Sequence, residues 1–349
     1  MTAERTAGTG RDDRGFALLA VMLVLSLLGV IAAEFAFSMR LEASMVRAFK
    51  EGIVGGHLAE AAVQQGIREI LSPSTVQGLD EDGRLVFYRP APGQGTLRLL
   101  PALARERVPY GPGEFSYRIT DEESRINVNT APPERVDRLL DALGLDKGDR
   151  DVINDSLQDW KDSNDNFRAN GAESEDYYLK LPVPYRARNA NLQDVAELLQ
   201  IKGVTPALYH GVDRRPGLAD LATIRSRNQV NLNTASRTVL KALGFSDAEV
   251  IDVMQSRGRT PYAFVPGRFA GRGLAVSSQT FRIEAEGRVA GQPPSRIVAI
   301  VQRSAQAAGG GRLTPGAPPS QGVTVLSWRR DPDRERPAPA EPIAARGPS

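Results

Sequence analysis

The sequence contains no cysteine. That excludes disulfides, thiolate metal sites and a cysteine nucleophile, and it is neutral about the redox compartment. Histidine is almost as scarce: His57 and His210 are far apart and fall in no metal-ligand spacing such as H-E-x-x-H. Both read as ordinary surface or core side chains. Aromatics make up 6% of the chain, few for a saccharide cleft, and no G-x-S-x-G, P-loop or dinucleotide fingerprint is present, so the reading is not that of an enzyme. A dominant charge is missing too. The 44 Lys and Arg against 42 Asp and Glu leave +2 without long basic runs, which argues against nucleic acid as the main partner. What 349 residues with 41% hydrophobic side chains do supply is material for an anchor and about two domains.

The hydrophobic material is concentrated near the start. From Phe16 to Ala33 there is no charge, and at about 1.5 Å per helical residue that run just crosses a hydrocarbon core of about 30 Å. A plain signal anchor, or a secretory signal cut near Ala32-Ala33, has the same run. The junction Arg14-Gly15-Phe16 separates the readings, because it puts a processing point between Gly15 and Phe16, before the apolar helix rather than after it. It resembles the class III signal of type IV prepilins and type II secretion pseudopilins, cut after the Gly and methylated by a membrane-embedded prepilin peptidase. Arg5, Arg11 and Arg14 favour a cytoplasmic N-terminus, Arg40, Arg47 and Lys50 weaken that argument, and export of the bulk is the expectation.

Beyond the span, Val46, Phe49, Ile53, Val63, Ile67 and Ile70 recur at helical spacings to about Leu71, with Gly52, Gly55 and Gly56 as points for a bend or break, and Ser72-Pro73 as a stop. From Leu85 to Ile119 the texture is strand-like, with Phe115, Tyr117 and Ile119 alternating. A second pair of strands is expected around Phe281, Ile283 and Ala285 and from Arg296 to Val301. Between them, about Thr130 to Gly258, the pattern is helical, which reads as a helical domain inserted between strands of one sheet. Past Arg303 the chain is rich in Gly, Pro, Ala and Arg and reads as disordered, apart from an apolar island at Val323 to Trp328.

The insert contains a repeat. Ile126-Asn127-Val128-Asn129-Thr130-Ala131 recurs as Val230-Asn231-Leu232-Asn233-Thr234-Ala235, and the copies run on to Ala142-Leu143-Gly144 and Ala242-Leu243-Gly244. Thr130 and Thr234 suit N-caps, and Gly144 and Gly244 suit the left-handed C-terminal position. The motif also resembles the helix-hairpin-helix modules of membrane-anchored DNA-uptake receptors, the alternative function. Against it, acids outnumber bases from Glu134 to Asp151.

Oxygen donors crowd one segment: Asp159, Asp162, Asn164 and Asp165, with Glu173 and Asp176 returning from the other side. This is a donor set for a hard, irregularly coordinated cation such as Ca²⁺, although the EF-hand spacing is absent. The other reading is a solvated acidic loop with helix-capping aspartates. Carboxylate pairs also serve glycoside hydrolysis, a third and weaker reading.

Taken in order from about residue 11 to 303, Arg14-Gly15-Phe16, the Asn-rich repeat, Asp159-Trp160-Lys161-Asp162 and Gly171-Ala172-Glu173 to Tyr177-Tyr178 resemble the general secretion pathway protein K family, the large minor pseudopilins of type II secretion. Lys161 and Asn164 depart from its pattern. The resemblance implies an α+β, pilin-like fold: a prepilin leader (1–15), a transmembrane and spine helix (16–71), a first sheet part (72–125), a helical insert holding calcium (126–260), returning strands (261–303) and a tail (304–349). It also implies an inner-membrane, single-pass protein with its bulk in the periplasm, prepilin peptidase as processing partner, and the minor pseudopilins I and J as neighbours. Ala20, the fifth residue after the junction, stands where shaft pilins of that class carry Glu, which implies a place at the tip.

Overall fold

The computed structural model describes residues 13–92, 96–213, 215–304 and 322–330, with side chains from Phe16 onward. The expected leader therefore lies almost wholly outside the described residues, as does most of the expected tail. Helix α1 (Asp13–Ile70) is a single element of 58 residues. Its glycines do not break it. Every side chain from Phe16 to Lys50 is exposed, whereas Leu58, Ala59, Ala62, Val63, Ile67 and Ile70 are buried. The spine stripe thus turns inward only in its last third, and Val46, Phe49 and Ile53 stay exposed.

That last third lies on a sheet. Strands β1 (Val76–Leu79), β2 (Leu85–Pro90) and β3 (Leu97–Leu99) form a small antiparallel sheet, followed by β4 (Val108–Tyr110) and β5 (Gly113–Asp121). On β5 the alternating Phe115, Tyr117 and Ile119 point into the core with α1. Contact is close enough to demand glycine: a Cβ on Gly287, in the strand crossing α1, would stand 2.1 Å from the Gly55 carbonyl oxygen. Gly287 therefore serves the packing of strand on helix, and a Cβ on Gly55 would itself stand 2.9 Å from Ser295 Oγ.

The chain then leaves the sheet and makes the same unit twice. In the first, β6 (Ile126–Asn127) leads to α2 (Pro133–Ala142) and α3 (Lys147–Lys161). The short helices α4 (Pro206–His210) and α5 (Leu218–Leu221) and strand β7 (Ala222–Thr223), parallel to β6, follow. In the second, β8 (Val230–Asn231) leads to α6 (Arg237–Ala242) and α7 (Asp247–Arg259), and β9 (Leu274–Ala275) pairs in parallel with β8. The correspondence extends to single bonds. The Asn129 side chain clasps the backbone of Leu192 through both its oxygen and its amide, as Asn233 clasps Tyr262. Lys161 donates to the Val128 carbonyl where Arg257 donates to that of Leu232. The first unit takes 30 residues between Lys161 and Leu192 where the second takes few, and the acidic segment occupies that detour.

The caps differ from the sequence expectation. α2 starts at Pro132 without a side-chain cap, and Ser236 caps α6 by accepting from Val239 N. Thr234 is instead drawn away by a carboxylate at the junction described below. Gly144 and Gly244 do take φ of 90° and 81° at the helix ends.

The sheet resumes with β10 (Thr280–Arg288) and β11 (Ser295–Arg303), and finishes with β12 (Val323–Arg330), giving the antiparallel order β12-β11-β10-β5-β4. Because β5 pairs with β10, the insert is a loop between two adjacent strands. The expected boundary at residue 260 moves: Phe269 and Leu274 belong to the core of the insert, so it ends next to Thr280. β12 is a second correction, since the apolar island in the tail forms a full strand on β11.

Candidate functional site

The junction is held by three consecutive acids. Asp121, Glu122 and Glu123 are buried at the end of β5, each directed at a different part of the fold. Asp121 accepts from Thr234 Oγ1 (2.6 Å), Ser278 Oγ (2.6 Å) and Asn231 Nδ2 (3.0 Å). Burial pushes its carboxyl up to about 6 against the pull of those donors. Glu122 meets Arg282 of β10 and Thr223 of β7. Burial works against its ionisation, but Arg282 and Arg125 hold it below the usual carboxylate range. Glu123 accepts from the backbone of Gln279 and Thr280. The sequence reading passed over this run, although three acids at the end of an alternating strand are a signal that charge is being carried into the interior.

The acidic segment begins on the last turn of α3. Asp159 is fully buried there, and its carboxylate accepts from the backbone N of Arg168 and of Ala172 (3.0 Å each). The loop passes so close that a Cβ on Gly171 would lie 1.8 Å from Asp159 Oδ2. Arg168 then spans two acids, with its Nη1 at 2.6 Å from Asp159 and 2.8 Å from Asp162. Asn164 accepts from Asn166 N, Asp165 from Asn189 Nδ2, and Asp176 from Glu173 N. Under the loop, Trp160 packs edge-on against Tyr178 at 5.2 Å and near Tyr185, both of which the returning segment supplies. Lys161 is drawn into the core with them, and burial pulls it down to about 8.

Glu173 is the exception in this tight arrangement. It is buried, and neither carboxylate oxygen has a hydrogen-bond partner. Burial raises it to about 7 against the pull of the nearby Ser174 backbone N–H, with the charges of Asp159, Asp162 and Asp165 adding to the rise. Among the described residues no three His, Asp or Glu side chains converge as a metal site. Arg168 supplies the positive charge between Asp159 and Asp162. The donor set nevertheless fits a hard divalent cation: an orphaned buried carboxylate beside further acids lacks the counter-charge that such an ion supplies. Glu173 and Asp165 would be the ligands with least other work, whereas Asp159, Asp162, Asn164 and Asp176 also hold the loop backbone.

Three bases of the two helical hairpins are paired with acids, while Arg135, Arg138, Lys161 and Arg257 donate to neutral oxygens. Arg150 is bound to Asp137 and Asp141, Lys147 to Asp151, and Lys241 to Asp247. At the other end of the molecule, α1 is long and apolar enough from Phe16 onward to cross a membrane, with none of its apolar stretch buried in the protein.

Residues 117–214 match the family model for type II secretion system protein K. The chain is 29% identical over 312 residues to type II secretion system protein K of Pectobacterium carotovorum subsp. carotovorum, covering 79% of this chain and 89% of that protein. To the protein of that name from Pseudomonas aeruginosa it is 27% identical over 270 residues, 71% of this chain and 74% of that one. The chain is thus similar to the type II secretion system K proteins over most of its length. The fold agrees: a chain in the crystal structure of the GspK-GspI-GspJ complex from enterotoxigenic Escherichia coli superposes with a TM-score of 0.50 at 18% identity, covering 84% of this chain and 98% of that chain. The α+β, pilin-like architecture is therefore that of the family. Lys161 keeps its ammonium bonded to the Val128 carbonyl.

Proposed function

We propose that the chain is a minor pseudopilin, a structural part of a type II secretion pseudopilus rather than a catalyst. Prepilin peptidase cuts it between Gly15 and Phe16, the helix from Phe16 holds it in the inner membrane, and the sheet and insert stand in the periplasm. The observation that carries this reading is α1: 35 exposed residues from Phe16 to Lys50, continuous with a last third buried on the sheet. The exposed stretch suits lipid and then neighbouring helices; the buried stretch joins it rigidly to the globular part.

A place at the tip follows from Ala20 and from the insert. A shaft position needs a carboxylate for the N-terminal ammonium of the adjacent subunit, a charge costly to leave unpaired in lipid. Ala20 has none, and the insert between β5 and β10 obstructs a subunit stacked above. The minor pseudopilins I and J, named with K in the complex of the similar structure, are the partners below. Calcium in the acidic loop would supply the counter-charge that Glu173 lacks. Counting labelled copies per isolated pseudopilus tests the placement: about one copy at one end supports it, and copies in proportion to filament length contradict it.

A further inference from the structure

The last strand of the sheet comes from a segment with little reason to be there. β12 is joined to β11 by 19 residues, from Ser304 to Gly322, and it closes an edge that β11 would otherwise present unpaired. Its hold is weak by ordinary criteria. The register slips between Ile300 and Val301, and Val325 and Trp328 remain 48% and 37% exposed. Its two charged anchors lie at one end. Successive strand residues point to opposite faces, so Arg330 reaches Glu60 of α1 while Arg329 reaches Asp194 of the insert at 3.0 Å. Both ion pairs are partly exposed, a class that contributes little to stability.

We propose that β12 is a releasable clasp, and that the β11 edge beneath it is a docking site for an extended polypeptide of the same chemistry, about eight residues alternating apolar and polar and ending in paired arginines. In cis the clasp shields the edge and ties the spine helix to the insert through Glu60 and Asp194. The 19-residue connection, up to about 60 Å when extended, lets the strand leave without unfolding the sheet. An incoming strand in its place completes the same ladder. The site follows from the strand pairing itself and does not depend on the pseudopilin reading.

The probe is a fluorescent peptide of residues 322–330. It is added to detergent-solubilised full chain carrying a specific protease site within residues 305–321, before and after cleavage. The proposal expects no binding to the intact chain, where the tethered strand competes at high effective concentration, and saturable binding after cleavage with release of the C-terminal fragment that carries β12. Peptide with both arginines replaced by alanine should bind roughly 3- to 10-fold more weakly, the sum of two partly exposed pairs. Because the chain has no cysteine, the pair Gln302→Cys and Thr324→Cys, facing partners in the ladder, gives a single disulfide that should abolish exchange in the cleaved protein until reduced. Equal binding to intact and cleaved chain, no binding to either, or exchange undiminished by the disulfide would overturn the proposal.

Discussion

Thr234 donates a 2.6 Å hydrogen bond to Asp121 across 113 positions of sequence, joining the second repeat of the insert to the end of the strand from which the insert departs. Ser278 donates to the same oxygen from the return path. One carboxylate thus gathers the outgoing and incoming crossings. Asp121→Ala removes the acceptor shared by Thr234, Ser278, Asn231 and the backbone N of Glu123 and should cost about 2–4 kcal/mol, read as a lowered melting temperature of the whole chain in detergent.

The same group sets a pH dependence. Its folded value, about 6, lies above the ordinary 3.8, so the folded state holds the proton more tightly than the unfolded one. Its contribution is full below about 4 and is lost as pH rises through about 6. Denaturant titrations between pH 4 and 7 should show that slope in the native chain and a shallower one in Asp121→Asn.

Arg168 and Glu173 make the cation test specific. Ca²⁺ should raise the melting temperature by mass action, and Asp162→Ala or Glu173→Gln should blunt the response. Arg168→Ala removes the tethered positive charge between Asp159 and Asp162, so it should lower stability in chelator and enlarge the gain on adding Ca²⁺. A melting temperature indifferent to Ca²⁺ in native chain and Arg168→Ala alike would leave a solvated acidic loop.

Gly171→Ala tests the loop without touching a charge. The added Cβ would stand 1.8 Å from Asp159 Oδ2, so either the carboxylate or the loop must move, at a cost of about 1–3 kcal/mol. Thermal melts compared with Gly148→Ala, where the nearest atom is 3.4 Å away, check it.

Much of this was legible in residue order because the signals are periodic. The alternation of Phe115, Tyr117 and Ile119 and of Phe281, Ile283 and Ala285 marked the two strands that flank the insert, and all six are buried in one core. The repeat showed for the same reason: Asn129 and Asn233 each hold a backbone segment, a role the amide side chain alone fills. What stayed hidden depends on distant partners. Nothing local says that Thr234 serves Asp121 rather than a helix end, that Gly287 lacks a side chain because the Gly55 carbonyl lies against it, or that Phe269 belongs to the insert. The clasp was visible only as an apolar island, since an edge strand declares itself through the edge it covers. Arg168 carries no local signal, since its role shows only through the two carboxylates that it reaches.

Cleavage before the apolar helix is what separates a pseudopilin from a signal anchor, and the mass of the mature N-terminus measures it directly. Co-expressed with a prepilin peptidase, the chain should begin at Phe16 with a methylated amine, and Gly15→Val should remain uncut. An N-terminus near Glu34, or an intact Gly15-Phe16 bond in the presence of active peptidase, would contradict the pseudopilin reading.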